Sequence, residues 1–522
     1  MARWNAAFTL LGAFALARFG VEFQKMNFGY SKQVKNSLNH ILSLLFDPFQ
    51  NKNTFYYILV CISVLCGLFS IWSWYPGIIR DDAMAQYLQA VGAEPVTDWH
   101  PPLMVRLWQL QINTLGTANL LNATLIIILS FGLFIFLKIR PCVMSLILYP
   151  IIFFSPIFFG IMGFIYKDIL LSNLIFLTVG VYFSYAVKGK IPGSVRIILC
   201  MTLFTLTFLR FNAAFIVAPL LVMILVGWSI SVRNILLTGL LIISLACVVG
   251  PVNHILLRSG SDHPEKSLEV FDLGGIAHYS LPKEKRTIAF KMWTVATEQE
   301  KLSACYLPRQ WDEYGMWVPV GQEKLHIAWD MWGTGGVYST RTINKNAKDS
   351  RVDMCFELGN QLRSNPSLGS KWYSEIKSHP IAYMHHRFKH FSYIIVKKLG
   401  ANASSLDAGY YSLDLVDKSQ IQHHFISRKY TKFIDKNKYL LTSYGLTYLI
   451  LMVFVFFKSI SCMGFVDKTL NSLSFSSIIY IFGYFFVGVG SQFRYILPSI
   501  YLAVASLLII YISKGYQKRN LL

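Results

Sequence analysis

Two adjacent carboxylates, Asp81 and Asp82, follow the first strong hydrophobic run in the stretch Trp74-Tyr75-Pro76-Gly77-Ile78-Ile79-Arg80-Asp81-Asp82. Four further segments set polar groups at the ends of apolar runs: Asp98-Trp99-His100-Pro101-Pro102 with Arg106, Tyr166-Lys167-Asp168, Arg210-Phe211-Asn212 and Ser491-Gln492-Phe493-Arg494. Carboxylates beside Arg and Lys suit one kind of chemistry. The cations neutralise a lipid-linked phosphate as it leaves with charge, and a carboxylate within reach of an acceptor hydroxyl takes its proton during attack on an anomeric carbon. Acids that share a pocket raise one another's proton affinity, although consecutive helical residues point about 100° apart. Each residue also has a structural reading: Asp81 or Asp82 caps a helix expected over Ala83–Val91, Asp98 opens a turn, His100 is an interface histidine, and Lys167 and Arg494 are snorkelling anchors. Their joint placement on one face, in a chain whose apolar runs hold almost no charge, favours the chemical reading.

The elements that must position them are membrane spans. With 54% hydrophobic, 15% aromatic and 14% charged residues in 522, the composition excludes a soluble domain. Apolar runs of about 17–25 residues, enough to cross the hydrocarbon core, fall at roughly Phe55–Tyr75, Leu120–Leu137, Cys142–Gly160, Ile169–Val187, Ile197–Leu209, Ala213–Ile230, Ile235–Val252, Tyr439–Phe457, Ser472–Gly490 and Ile496–Ser513. The expected fold class is therefore all-α and polytopic, with about ten transmembrane helices, or eleven if the short apolar stretch Ala6–Ala17 also crosses, and with an inserted, mainly helical domain. That stretch resembles a signal-peptide core and is read as an interfacial or extra N-terminal helix.

Orientation follows from the loop lysines and arginines. A cytoplasmic N-terminus places Lys138, Arg140, Lys188, Lys190, Arg233, Lys458 and Lys514 inside, and the acids Asp81, Asp82, Asp98 and Asp168 outside. The net charge of +21 is then mostly a topology signal, and nucleic acid is not an expected partner. Four regions result: a cytoplasmic N-terminal segment (1–54), seven spans with their outward loops (55–252), a periplasmic soluble domain (253–438), and three spans with a basic cytoplasmic tail (439–522).

Within the soluble domain, Ser364–Lys398 has helical spacing divided at Pro380. It reads either as a pair of core helices or as a helix lying on the bilayer. Gly274-Gly275 and the set Gly333, Gly335 and Gly336 read as turns. Cys61, Cys66, Cys142, Cys200, Cys247 and Cys462 lie in or beside spans, where cysteine packs as a small apolar residue. Cys305 and Cys355 remain in the outward domain, and a disulfide between them is expected in an oxidising compartment. No cofactor is demanded. A divalent ion on Asp81, Asp82, Asp98 and His100 is a chemical option that no spacing requires.

An acidic pair in the first outward loop, a second acidic position after the third span and an outward soluble domain resemble the GT-C glycosyltransferases that use polyprenyl-phosphate sugars, with greatest similarity to the serotype-converting enzymes that decorate O-antigen. The resemblance implies an inverting transfer of one sugar, at the periplasmic face of the inner membrane, from a polyprenyl-phosphate donor to a surface or lipid-linked glycan. It also implies that Asp81, Asp82 and Asp168 are the catalytic acids. Arg80, Lys167, Arg210 and Arg494 are expected near phosphate, with Asp98 and His100 orienting the acceptor or the basic groups. The soluble domain departs from the family pattern, since it precedes the last three spans. That order resembles O-antigen polymerases and ligases, which stand as the alternative, together with a lipid or glycan transporter and a non-catalytic scaffold.

Overall fold

Where no water can pair with the backbone, an apolar run closes its own hydrogen bonds as a helix. The computed structural model describes residues 52–79, 82–117, 119–286, 293–306, 358–359, 361–396, 445–460, 464–489 and 493–517, and among these it is all-α, with two isolated bridges, Ile78 to Phe164 and Thr97 to Gly260. The expected N-terminal helix at Ala6–Ala17, the glycines Gly333, Gly335 and Gly336, and Cys355 and Cys462 lie outside the described residues.

Among the described residues, five helices are long and apolar enough to cross a membrane: α1 (Lys52–Trp74), α7 (Lys167–Ala186), α10 (Val232–Pro251, continued by a π-turn to Leu256), α16 (Phe465–Val487) and α17 (Leu497–Gln517). The run Cys142–Gly160, expected as one span, is instead two helices, α5 (Val143–Phe153) and α6 (Pro156–Met162), bent by 52°. Ser155 is extended and Pro156 restarts the chain at the first helical position, where proline's fixed φ is tolerated and a continuing helix is not. Four other expected spans are shorter apolar helices: α4 (Leu121–Leu137), α8 (Gly193–Leu206), α9 (Ala214–Val226) and α15 (Gly445–Ile460).

Enclosure differs sharply among the long helices. About two thirds or more of α7, α16 and α17 is buried inside the protein (67%, 67% and 78%), against 17% for α1 and α10. The central helices carry the charged groups at one end: Lys167 and Asp168 begin α7, and Arg494 immediately precedes α17. α7 packs along α4 and α17, α16 along α9, α15 and α17, and Phe158, Phe176 and Tyr501 meet where α6, α7 and α17 converge.

The connection between α1 and α4 holds two amphipathic helices, α2 (Asp82–Ala90) and α3 (Leu103–Leu115), which pack on each other through an edge-on contact of Tyr87 with Trp108. Just after α1, Gly77 takes a φ of +100°, and a Cβ there would lie 2.8 Å from Asn122 and Ile165, so only glycine fits. The chain then pairs with the approach to α7: Ile78 N–H donates to Gly163 C=O at 2.7 Å and Ile165 N–H to Ile78 C=O at 3.0 Å. This short pairing delivers the segment leading to Asp82 beside the start of α7.

The inserted domain has its own small core. α11 (Glu265–Ser280), α12 (Glu298–Cys305), α13 (Leu368–Ser378) and α14 (Pro380–Val396) enclose Phe271, Leu273, Leu302, Tyr306 and Leu368. Cys305 is buried and disulfide-bonded. The division at Pro380 is as expected, but Gly274 and Gly275 are not a turn. They lie inside α11, and Gly275 supports the ring of His386, which a Cβ would meet at 2.2 Å. A fully buried network crosses here: Asp272 accepts from Trp372 Nε1 at 2.8 Å, contacts His386 Nε2 at 2.9 Å, and pairs with Arg387 at 2.5 Å. Arg387 then donates to the C=O of Gly488, at the end of α16, at 2.7 Å. The network ties the inserted domain to the helix end that leads toward Arg494.

Candidate functional site

Five separate parts of the chain meet at the ends of α7 and α17. Asp82, first residue of α2, turns its carboxylate to Arg494 Nη2 at 3.0 Å and to Lys167 Nζ at 3.4 Å. Asp168 pairs with Arg210, and its second oxygen lies 3.8 Å from Arg494 Nε. Arg494 therefore spans both carboxylates. Aromatic faces hold the guanidinium groups in place: Arg494 lies 4.4 Å from the Tyr166 ring centroid and Arg210 4.2 Å from that of Tyr495, contacts that favour a planar cation. Arg210 also donates from Nε to Asn212 Oδ1 at 2.8 Å.

The two acids are not equivalent. The Asp168 side chain is wholly enclosed, whereas that of Asp82 keeps 16% exposure and is the one open to an incoming group. Burial alone would raise the Asp82 carboxyl, but the charges of Arg494 and Lys167 hold it well below the usual carboxylate range. His100 goes the other way. Burial, and then the neighbouring ammonium of Lys167, push its imidazole down to about 3, so it is neutral. Its 3.9 Å approach to Asp82 is accordingly a polar contact and not an ion pair. Lys167 Nζ donates to His100 Nδ1 at 3.1 Å, which leaves the imidazole proton on Nε2.

Among the described residues, with His100 neutral, the cations Lys167, Arg210 and Arg494 face the carboxylates Asp82 and Asp168. Lys167 sits between Asp82 and His100, so a divalent ion using those two donors would have to displace an ammonium group. Among the described residues no group of three or more His, Cys, Asp or Glu is arranged to hold a metal.

The remaining expected site residues are placed elsewhere or not described. Asp98 accepts from the N–H of Asp262 at 2.6 Å and lies 3.4 Å from His254 Nε2. It fastens the chain leaving α10 to the loop before His100. Burial raises its carboxyl, only partly offset by these contacts. Arg106 donates from Nε to Leu257 C=O at 2.8 Å, in the same clamp. Gln86 donates to Pro101 C=O at 3.2 Å, which positions the His100 loop. Arg80 and Asp81 lie outside the described residues. Sequence reasoning missed the aromatic supports: Tyr166 was visible beside Lys167, but Tyr484 and Tyr495 gave no signal of stacking on Arg210. It also missed the Asp272–His386–Arg387 network, in which Asp272 lies more than a hundred residues before its two adjacent partners.

Compared with family models, curated proteins and solved structures, the chain matches none.

Proposed function

We propose that this chain is an integral membrane glycosyltransferase, which moves one sugar from a polyprenyl-phosphate donor to a hydroxyl of an extracytoplasmic glycan with inversion. The observation that carries the reading is the enclosed cluster in which Lys167, Arg210 and Arg494 meet the buried Asp168 and the partly exposed Asp82. A sugar phosphodiester carries one negative charge, which clustered Arg and Lys side chains bind. Arg494 and Lys167 bind its oxygens, and as the bond from the anomeric carbon to the phosphate oxygen breaks, the electron pair stays on a phosphate they stabilise.

Asp82 is the base. In the resting site its partners hold it too acidic to accept a proton readily. A donor phosphate takes over Arg494 and Lys167, leaving burial as the dominant influence, and the carboxylate becomes basic enough to accept the acceptor's proton. The acceptor oxygen then attacks the anomeric carbon from the face opposite the phosphate. Asp168 is the positioning partner of Arg210, and neutral His100 holds Lys167. The five long helices, the bent α5–α6 pair and the four shorter apolar helices together make ten crossings in this reading. Both termini are cytoplasmic and the inserted domain lies over the site on the periplasmic side of the inner membrane. The acceptor class is O-antigen or a related lipopolysaccharide glycan.

The insertion of a soluble domain between α10 and α15 favours a second reading, a polymerase or ligase that uses a diphosphate-linked oligosaccharide. Purified protein supplied with labelled polyprenyl-phosphate sugar and extracted surface glycan distinguishes the two. Label in the glycan supports the glycosyltransferase; transfer only from the diphosphate-linked donor moves the chain to the second class.

A further inference from the structure

Helix α14 buries polar side chains along with Ala382, Phe391 and Ile394, and exposes a separate apolar stripe. Its polar residues His386, Arg387 and His390 are fully buried, while Ile381, Met384 and Phe388, one and two turns apart on the opposite face, are exposed at 84%, 42% and 59%. In water such a helix hides its charges and leaves its grease outside, at about 25 cal/mol for each Å² of apolar surface. On the buried side, His386 and Arg387 are held by Asp272, Tyr306 and the Gly488 carbonyl. The exposed side therefore has a different neighbour.

Its neighbours in the protein point to what that is. Phe388 packs edge-on against Phe485 at 4.9 Å, and Phe391 stacks on Phe482 at 5.5 Å, both in α16. Phe482 and Phe486 of this span are themselves 47% and 60% exposed. The apolar stripe of α14 thus runs without a break into the outer surface of a helix long and apolar enough to cross a membrane. Along one edge of the stripe stand exposed His385 and Lys389, with the Lys389 ammonium 5.6 Å from the Tyr393 ring centroid. Basic and tyrosine side chains beside an apolar face are what the boundary between acyl chains and headgroups selects.

We propose that α14 is seated in the bilayer, with Ile381, Met384 and Phe388 in the acyl region and Lys389 and His385 at the headgroups. The inserted domain is then attached to lipid as well as to the spans. The seat also bears on the site. α14 packs against the turn Phe493–Ile496 that carries Arg494, and a Cβ at Gly445 would meet both Ile496 and the C=O of Ile395. The depth of α14 in the bilayer accordingly fixes the height of that turn. This inference rests on the helices crossing a membrane and not on the transfer chemistry.

The test uses the full chain in vesicles of phosphatidylethanolamine and phosphatidylglycerol, with a benzophenone amino acid at position 381, 388 or 284, irradiated and analysed by mass spectrometry. Position 381 is the most exposed of the three apolar sites and tolerates the larger side chain, and Glu284 is an exposed control in the same domain. Phospholipid adducts at 381 and 388 and none at 284 are expected. Adducts with a second copy, with another part of the same chain, or with none of these at 381 and 388 would overturn the proposal.

Discussion

Lys167 donates a hydrogen bond to Nδ1 of His100, although the two residues lie on separate connections of the chain. The pairing requires a neutral imidazole, and burial together with the ammonium keeps it so. Lys167 is thereby fixed where it also reaches Asp82 at 3.4 Å, and an ammonium group stands where a metal would otherwise be the obvious way to supply positive charge. Arg494 completes the arrangement by touching both carboxylates.

Arg494 should be the most sensitive cation. In the proposed transfer, replacing it with Ala removes a donor to the leaving phosphate, and kcat is expected to fall by about 10²–10³-fold. Arg494→Lys keeps the charge but cannot span Asp82 and Asp168, so it should recover only part of the loss. Steady-state transfer assays on the two variants check this, and equal activity of Arg494→Lys and wild type would argue against the bridging role.

Asp168 has a different signature. Asp168→Asn leaves Arg210 enclosed without its counter-charge, a change that typically destabilises a protein by about 3–5 kcal/mol. Thermal unfolding in detergent should show a clear drop in midpoint together with lost activity. An unchanged midpoint would mean that Asp168 is not the partner on which Arg210 depends.

The inserted domain should weaken in acid. Burial, against the pull of Asp272, lowers His386 from 6.5 to about 4. Between those values the unfolded chain holds more protons than the folded one, so stability rises with pH from about 4 to about 6.5 and is level above. Asp272 acts in the same direction: burial opposes ionisation, but Arg387 and His386 hold its carboxyl low, and that contribution is lost as pH falls through its folded value. Unfolding midpoints measured across this range should slope for wild type and flatten in His386→Gln. An identical slope in the variant would assign the acid sensitivity to other groups.

Gly275 should tolerate no side chain. The Cβ of Gly275→Ala would lie 2.2 Å from the His386 ring, which is held on both nitrogens and cannot swing away. Overpacking of this kind costs about 1–3 kcal/mol. The same substitution at Gly239, where a Cβ meets nothing within 4 Å, is the control and should leave the melting midpoint in place.

How much of this was readable beforehand depended on the range of the interactions involved. Lys167 and Asp168 stood out because a charged pair at the edge of an apolar run is a local signal, and Pro380 divided its helices through a local steric effect. The break between α5 and α6 was missed because hydropathy averages over Ser155-Pro156, which itself signals a helix start. Asp98 was grouped with the site because its neighbours in sequence are there, yet its carboxylate is claimed by Asp262 and His254, more than 150 residues later. Gly274-Gly275 was read as a turn since glycine's usual local role is conformational. Its role here, giving room to a ring from a distant helix, leaves no local trace.

The central claim is that Asp82 takes the acceptor's proton while Arg494 and Lys167 hold the phosphate. It is tested most directly by measuring donor binding and labelled-sugar transfer side by side in wild type and Asp82→Asn. The variant should still bind the polyprenyl-phosphate sugar, since the cations remain, while transfer falls by about 10²–10⁴-fold, the usual contribution of a general base. Transfer at the wild-type rate in a folded Asp82→Asn protein would contradict it.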